Sequence, residues 1–219
     1  MDLRAAQLHG HLASVNVGVP QVLMDDLGRQ WTTAIRKFPV DARVAVRGGN
    51  LDGDDQADRR VHGGPDKAVS VYAAEDYAWW SAGLERPLAP GSFGENLTVE
   101  GLRVTSAVVG ERWRVGTALL EVCQPRIPCA KLGVAMGAAH FARDFADAGR
   151  PGAHLRVIEP GEVGAGDDVD VLEVPDHGLT VGEVARAFHA RDEAAAARML
   201  EVPALAAKWH AWASELLGR

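Results

Sequence analysis

Cysteine is scarce in this chain: the 219 residues contain two, Cys123 and Cys129. Two thiols six positions apart cannot build a disulfide scaffold, and no zinc-type array accompanies them. In a reducing compartment they are free, and either is a candidate for reactivity. Excess positive charge is missing too. With 23 basic against 30 acidic residues the formal net charge is −7 and the pI about 5.6. That balance argues against duplex nucleic acid, a partner that needs many phosphate-neutralising cations. No apolar run approaches the roughly twenty residues that span a bilayer. The opening MDLRAAQLHG has no apolar core between a basic flank and a cleavage site. A cytoplasmic protein with no membrane partner is expected. Internal repeats and low-complexity tracts are likewise missing. What is present is 47 % hydrophobic residues, enough at this length to bury one substantial core with a small appendage.

Short β-branched runs separated by turns fill the first two-thirds, at 43–46, 68–72, 96–99, 112–115, 118–122, 155–158 and 168–172. Strands this short and frequent predict a barrel or sandwich rather than a βαβ sheet. Glycines in 109-VGER-112, 115-VGTA-118 and 163-VGAGDD-168 suit hairpin or strand-entry turns. Helical inserts are expected at 75–81 and 132–148, the second stopped by 149-GRPG-152. After 175-PDHG-178 the composition turns alanine-rich, and Thr180 with Glu183 forms a capping box. Helices follow at 193–200 and from Pro203, the last bearing Leu205, Trp209, Trp212 and Leu216 at helical spacing. The organisation read from this pattern is a β domain, barrel or sandwich, over 1–175 and a three-helix domain over 176–219. Short amphipathic helices must pack on each other and on the barrel or a second subunit, so a homodimer is one outcome. The tryptophans are assigned to core or interface.

Three polar stretches resist a purely structural reading: 62-HGGPDKAV-69, 91-GSFGENLTV-99 and 123-CQPRIPCAKL-132. In the first, two glycines allow close backbone approach, a proline stiffens the turn, and His62, Asp66 and Lys67 are displayed before a buried strand. The second presents Glu95 and Asn96 at a strand mouth, where a plain turn with a solvated carboxylate is an equal reading. In the third, Pro125 and Pro128 make a rigid shelf. Cys129 lies on that shelf at a helix start, with Arg126 and Lys131 close by, a setting that favours thiolate. Cys123 ends an apolar strand and reads as a small buried hydrophobe, with a redox pair as the competing idea. His62 taken alone reads more readily as a satisfied histidine than as a catalyst. Arg126 is either a structural ion-pair partner or an anion holder. The other histidines, His154 among them, show no ligand spacing and receive no role.

The order 61-VHGGPDKAV-69, 91-GSFGENL-97, 110-GERWRVGTALLEVCQPRIPCAKL-132 resembles the MOSC domain, the sulfurase C-terminal module that handles the molybdenum cofactor. The resemblance is closest to the free-standing bacterial YiiM-like subgroup, and extends to 13-ASVNVG-18, 33-TAIRKFPV-40, 53-GDDQADRRVHGG-64 and the trailing helices. It implies a MOSC-type β-barrel, mainly β with helical additions, followed by a small three-helix domain. It implies the molybdenum cofactor (molybdopterin), independent of pyridoxal phosphate, with Cys129 as protein ligand to the metal. His62 and Glu95 take the catalytic polar positions beside Cys129. Lys67, Arg126, Asp66 and Asn96 are the implied cofactor-binding residues. The implied activity is molybdenum-dependent reduction of N–O bonds in N-hydroxylated small molecules such as hydroxylaminopurine-type bases, a detoxification. This chain lacks the additional cluster-binding domain that some relatives carry, so a separate electron-donor reductase is the expected partner. The alternative is a carrier that holds the cofactor, or a persulfide on Cys129, without turnover.

Overall fold

The computed structural model of the protein describes residues 9–219. The reading of the opening residues as leaderless falls mainly on 1–8 and lies outside that range. Along the chain come β1 (His9–Val17), β2 (Gln21–Met24), β3 (Gln30–Thr33), β4 (Phe38–Pro39), β5 (Val44–Arg47), β6 (Asn50–Leu51) and α1 (Arg59–His62). Then follow β7 (Val69–Ala73), α2 (Ala74–Gly83), β8 (Leu97–Glu100), β9 (Arg112–Val115), β10 (Ala118–Pro125), α3 (Ala130–Met136) and α4 (Phe141–Asp147). The chain ends with β11 (Ala153–Glu159), β12 (Gly161–Val163), β13 (Asp168–Glu173), α5 (Val181–Ala190), α6 (Glu193–Leu200) and α7 (Ala207–Leu216).

Seven strands close into a barrel in the order β13-β9-β10-β11-β7-β8-β1, because β13 also pairs with β1. Closure leaves no free sheet edge among those strands, which is how an all-β core avoids edge-to-edge association. All pairs are antiparallel except β7 with β8. That parallel pair requires a crossover, and α2 with the loop after it supplies one. Leu12, Val15, Val69, Val71, Leu97, Val99, Trp113, Leu120, Val122 and Leu155 fill the barrel. On β1 the residues alternate inward and outward up to Ala13, as expected for a strand with one wet face. Every residue of β10 is buried, since helix α5 packs over it while its other face lines the barrel.

The seven sequence-derived strands all form, and β10 runs on to Pro125. The sequence reading missed β1, whose small polar residues Ser14 and Asn16 weaken its strand signal. It also missed β2 to β4, β6 and β12. The single helix expected over 132–148 is two. Gly137 takes φ +67° and caps α3 by donating to the carbonyls of Gly133 and Val134, a left-handed turn that suits glycine. The break lets α4 fold back so that Phe141 and Phe145 join Tyr72, Tyr77, Trp80 and Phe93 in an aromatic cluster. The last helix starts at Ala207 rather than Pro203, because Leu205 and Ala206 turn inward first. α5 opens with the expected capping box: Thr180 and Glu183 each accept from the other's backbone N–H. Helices α5 to α7 bury Val184, Met199, Val202, Leu205 and Trp209 together with Val109 from the turn before β9. Among the described residues no helix is long and apolar enough to cross a membrane.

Candidate functional site

A cleft of about 120 Å³ opens at one end of the barrel, roughly ten times the room that one water molecule needs. Three elements frame it. One is the end of β3 with Thr33, Ala34 and Ile35; the second is the 62–67 turn; the third is the chain from Arg126 to Cys129 as it leaves β10. Cys129 is the N-cap of α3, with extended backbone (φ −119°, ψ 168°), and its side chain offers no cap hydrogen bond. The thiol is partly exposed and faces the cleft. Cys123, by contrast, has no accessible surface, and burial pushes its thiol up to about 12. Its Sγ lies 3.2 Å from the Asp66 carbonyl and 3.3 Å from that of His154. The two cysteines therefore differ as the small-hydrophobe reading of Cys123 expects.

Of the seven residues selected from sequence, the cleft brings together Cys129, His62, Lys67, Arg126 and Asn96. Arg126 is only 9 % exposed. One of its terminal nitrogens donates to the Phe93 carbonyl, while Nη1 is buried without a partner. Its guanidinium carbon sits 5.3 Å above the Phe145 ring, a face that attracts cations. A charged donor buried on a residue of the cleft wall, with no partner among the described residues, marks an anion position, since leaving it unpaired costs free energy. Lys67 donates to the Val61 carbonyl, and burial lowers its pKa. Burial likewise lowers that of His62, helped by the charges of Lys131, Lys67 and Arg126 against the pull of Asp58. His62 is consequently a neutral imidazole at neutral pH. Asn96 is fully engaged: Oδ1 accepts from Ser70, and Nδ2 donates to Asp54 at 3.0 Å and to the Asn16 carbonyl.

Two selected residues lie elsewhere. Glu95 has no accessible surface and sits behind the cleft wall. Its carboxylate accepts from Tyr77 Oη (2.8 Å), Gly91 N (2.7 Å) and Thr98 Oγ1 (2.9 Å). Burial raises its pKa. The loop 91–96 wraps around it tightly enough that a Cβ at Gly94 (φ +83°) would stand 2.8 Å from the Ile35 carbonyl. Asp66 points its carboxylate away, to Arg156 at 2.8 and 2.9 Å. The acid that sequence reasoning set beside the thiol thus organises a loop, and the second acid braces a turn.

Sequence reasoning missed Lys37 and His154. Lys37 reaches the cleft from the bend before β4, 8 % exposed and ion-paired with the buried Asp54. Burial lowers its pKa in spite of that partner. Lys37 and Asp54 stood in the quoted motifs 33-TAIRKFPV-40 and 53-GDDQADRRVHGG-64, but without a role. His154 comes from β11, and no pattern pointed to it. Its Nδ1 is buried and unpartnered. Burial holds its pKa well below the ordinary value, reinforced by Lys208, Arg126 and Lys67. Arg126 and His154 thus each keep a buried polar nitrogen free at the same cleft.

The family model of the MOSC domain matches residues 58–170, the segment that carries Cys129, Arg126, Lys67 and the 62–67 turn. The chain belongs to the MOSC-domain family. Protein YiiM of Escherichia coli is 36 % identical over 184 residues, 81 % of either chain. A protein named "Reductase" from Gibberella moniliformis is 32 % identical over 198 residues, 88 % of this chain but 34 % of that one. The crystal structure of YiiM from Geobacillus stearothermophilus superimposes with a TM-score of 0.79 at 30 % identity, covering 95 % of this chain and 99 % of that one. A YiiM-like MOSC barrel is therefore the setting of the cleft, and the molybdenum cofactor is the group that such domains are associated with. Among the described residues no three His, Cys, Asp or Glu side chains gather as a metal site. A metal at Cys129 must bring its other ligands with it, as a pterin dithiolene does. The unpartnered Arg126 nitrogen, with Lys67 and Lys131 on the same cleft, suits a phosphate. On both counts the donor set fits the group.

Proposed function

We propose that this MOSC protein is a molybdenum-cofactor-dependent reductase of N-hydroxylated compounds, with hydroxylaminopurine-type bases as the substrate class. The observation that carries the reading is the pairing of a partly exposed thiol with a buried guanidinium whose Nη1 has no protein partner, on one cleft. Cys129 is the protein ligand to the metal. Arg126 and Lys67 hold the cofactor's phosphate, Arg126 through the free Nη1 and Lys67 as a point charge beside it. When bound, the cofactor supplies a two-electron redox centre for cleaving the N–O bond. Reduction of R–NHOH to R–NH2 and water consumes two electrons and two protons, so the residues must deliver protons. His62 lines the cleft with no hydrogen bond holding its ring, and its neutral form accepts a proton from solvent and passes it to the leaving hydroxyl. Glu95 keeps the loop 91–96 in place, and with it the Phe93 carbonyl that fixes Arg126. The apolar wall of Ala34, Ile35 and Ile127 excludes water and receives the flat face of a base. Electrons come from a separate donor protein.

The test is molybdenum content of the purified protein from a cofactor-competent host, followed by reduction of an N-hydroxylated purine with an artificial donor. Metal together with turnover is the expected result. Metal without turnover makes the protein a carrier, and the absence of both overturns the assignment.

A further inference from the structure

Helix α7 lies outside the stretch that matches the family model, yet one of its side chains is connected to the cleft. The Trp209 indole N–H donates to Gln124 Oε1 at 3.1 Å. The other end of the same amide, Nε2, donates to the Asp66 carbonyl at 2.5 Å. Gln124 has no accessible surface and Trp209 is 3 % exposed, so water does not compete for either bond. A second tie, Ala206 N to the Cys123 carbonyl at 3.1 Å, fixes the start of α7 to the same stretch of β10.

The order of donors and acceptors along this path gives it direction. An indole N–H can only donate and a carbonyl can only accept, whereas an amide side chain does either at its two ends. Trp209 and the Asp66 carbonyl therefore demand the same orientation of Gln124, Oε1 toward the indole and Nε2 toward Asp66. Without the indole donor Oε1 is left buried with no partner and the side chain is held from one end only. Asp66 in turn anchors the turn that displays His62 and Lys67. The same Asp66 carbonyl accepts from Cys123 Sγ at 3.2 Å, and the Asp66 carboxylate pairs with Arg156. A Cβ at Gly64 (φ +99°) would touch nothing within 4 Å, so at that residue the turn is held by hydrogen bonds rather than by packing, among them Lys67 N to Gly64 O, Gly63 N to Arg59 O and Lys67 Nζ to Val61 O.

We propose that Trp209 is a positioning residue of the cleft, acting through Gln124 and the Asp66 carbonyl on His62 and Lys67, so that the C-terminal helices help to build the site. The molybdenum arm of the test rests on the reductase reading; the titration arm does not. Trp209→Phe in the full chain keeps the ring that packs 5.4 Å from Phe188 and removes the donor. Trp212→Phe is the control, a neighbouring tryptophan of the same helix and packing cluster. In the cofactor-free chain, the His62 ring proton followed by NMR should titrate closer to the ordinary histidine value of about 6.5 in Trp209→Phe, and as in wild type in Trp212→Phe. Gln124→Leu should reproduce the shift and serves if Trp209→Phe folds poorly. Molybdenum retention should fall by about fivefold in Trp209→Phe, the factor equivalent to one net hydrogen bond, with no loss in Trp212→Phe. An unmoved His62 titration in both Trp209→Phe and Gln124→Leu, or an equal shift in Trp212→Phe, overturns the proposal. If wild type retains no molybdenum, the reductase reading fails and the titration still decides the positioning claim.

Discussion

Replacing Arg126 by methionine separates holding a ligand from holding the fold. In the cofactor-free chain the substitution removes the partner of the buried Phe93 carbonyl, a loss of about 1–3 kcal/mol. It also removes a guanidinium buried to 9 % exposure with Nη1 unpartnered, and exchanging such a charge for an apolar group of similar length returns about 1–4 kcal/mol. The contact over Phe145 changes from cation–π at 5.3 Å to sulfur on aromatic, each worth about 1 kcal/mol. The terms nearly cancel, so cofactor-free stability should stay within about 2 kcal/mol of wild type, or no more than about 8 °C in Tm for a chain of this size. Anion binding has no such offset. Losing a charge-assisted, desolvated contact costs about 2–5 kcal/mol, which is about 30-fold to several thousand-fold in affinity. Thermal melts of the cofactor-free chain and molybdenum content after expression in a cofactor-competent host measure the two sides. A Tm loss above about 10 °C together with undiminished molybdenum would refute the argument and make Arg126 a structural residue.

Further outcomes follow from the structure. Iodoacetamide at pH 8 should add one label to the native chain, at Cys129, and two after unfolding, because Cys123 is fully buried with its thiol raised to about 12; mass spectrometry of the two states checks it. In line with this, Cys129→Ala should lose metal at near-native stability, and Cys123→Ser should keep both metal and activity. His154 stays unprotonated in the folded chain while the unfolded chain takes up a proton near pH 6.5, so its contribution to stability is complete above that pH and is lost as pH falls below it. The stability difference between wild type and His154→Gln, from urea melts, should therefore shrink as pH falls from 7.5 to 5.5, and a constant difference would remove the buried-imidazole argument. Thr180→Ala breaks the capping box and should cost about 1 kcal/mol, about 2–4 °C in Tm.

Much of the site was legible because its residues cluster in glycine- and proline-shaped turns. His62, Lys67, Arg126 and Cys129 all lie in stretches whose backbone chemistry sets them apart from strand or helix, and all reach one cleft. Glu95 and Asp66 occupy the same stretches but face away from it. Sequence showed that they sit on the right turns, and could not show which way a side chain leaves a turn. Glu95 is drawn inward by three donors, two of them, Gly91 and Thr98, in its own segment. Asp66 is drawn outward by Arg156, ninety residues away. Lys37 escaped notice for the converse reason. A lone lysine before a strand looks solvated until its partner Asp54 is seen to be buried with it.

By itself the sequence determined the run of short strands, the capping box at Thr180 and the contrast between a thiol at a proline-initiated helix start and a thiol inside an apolar strand. Those features depend on local periodicity, on lost backbone donors and on residues three positions apart, all of which are written in neighbouring letters. Only the tertiary structure decided the split of the expected helix at Gly137, the neutral state of His154, and the free nitrogen of Arg126. Each of these depends on what surrounds a group after the barrel has closed, since desolvation and the supply of hydrogen-bond partners come from strands and helices far apart in the chain.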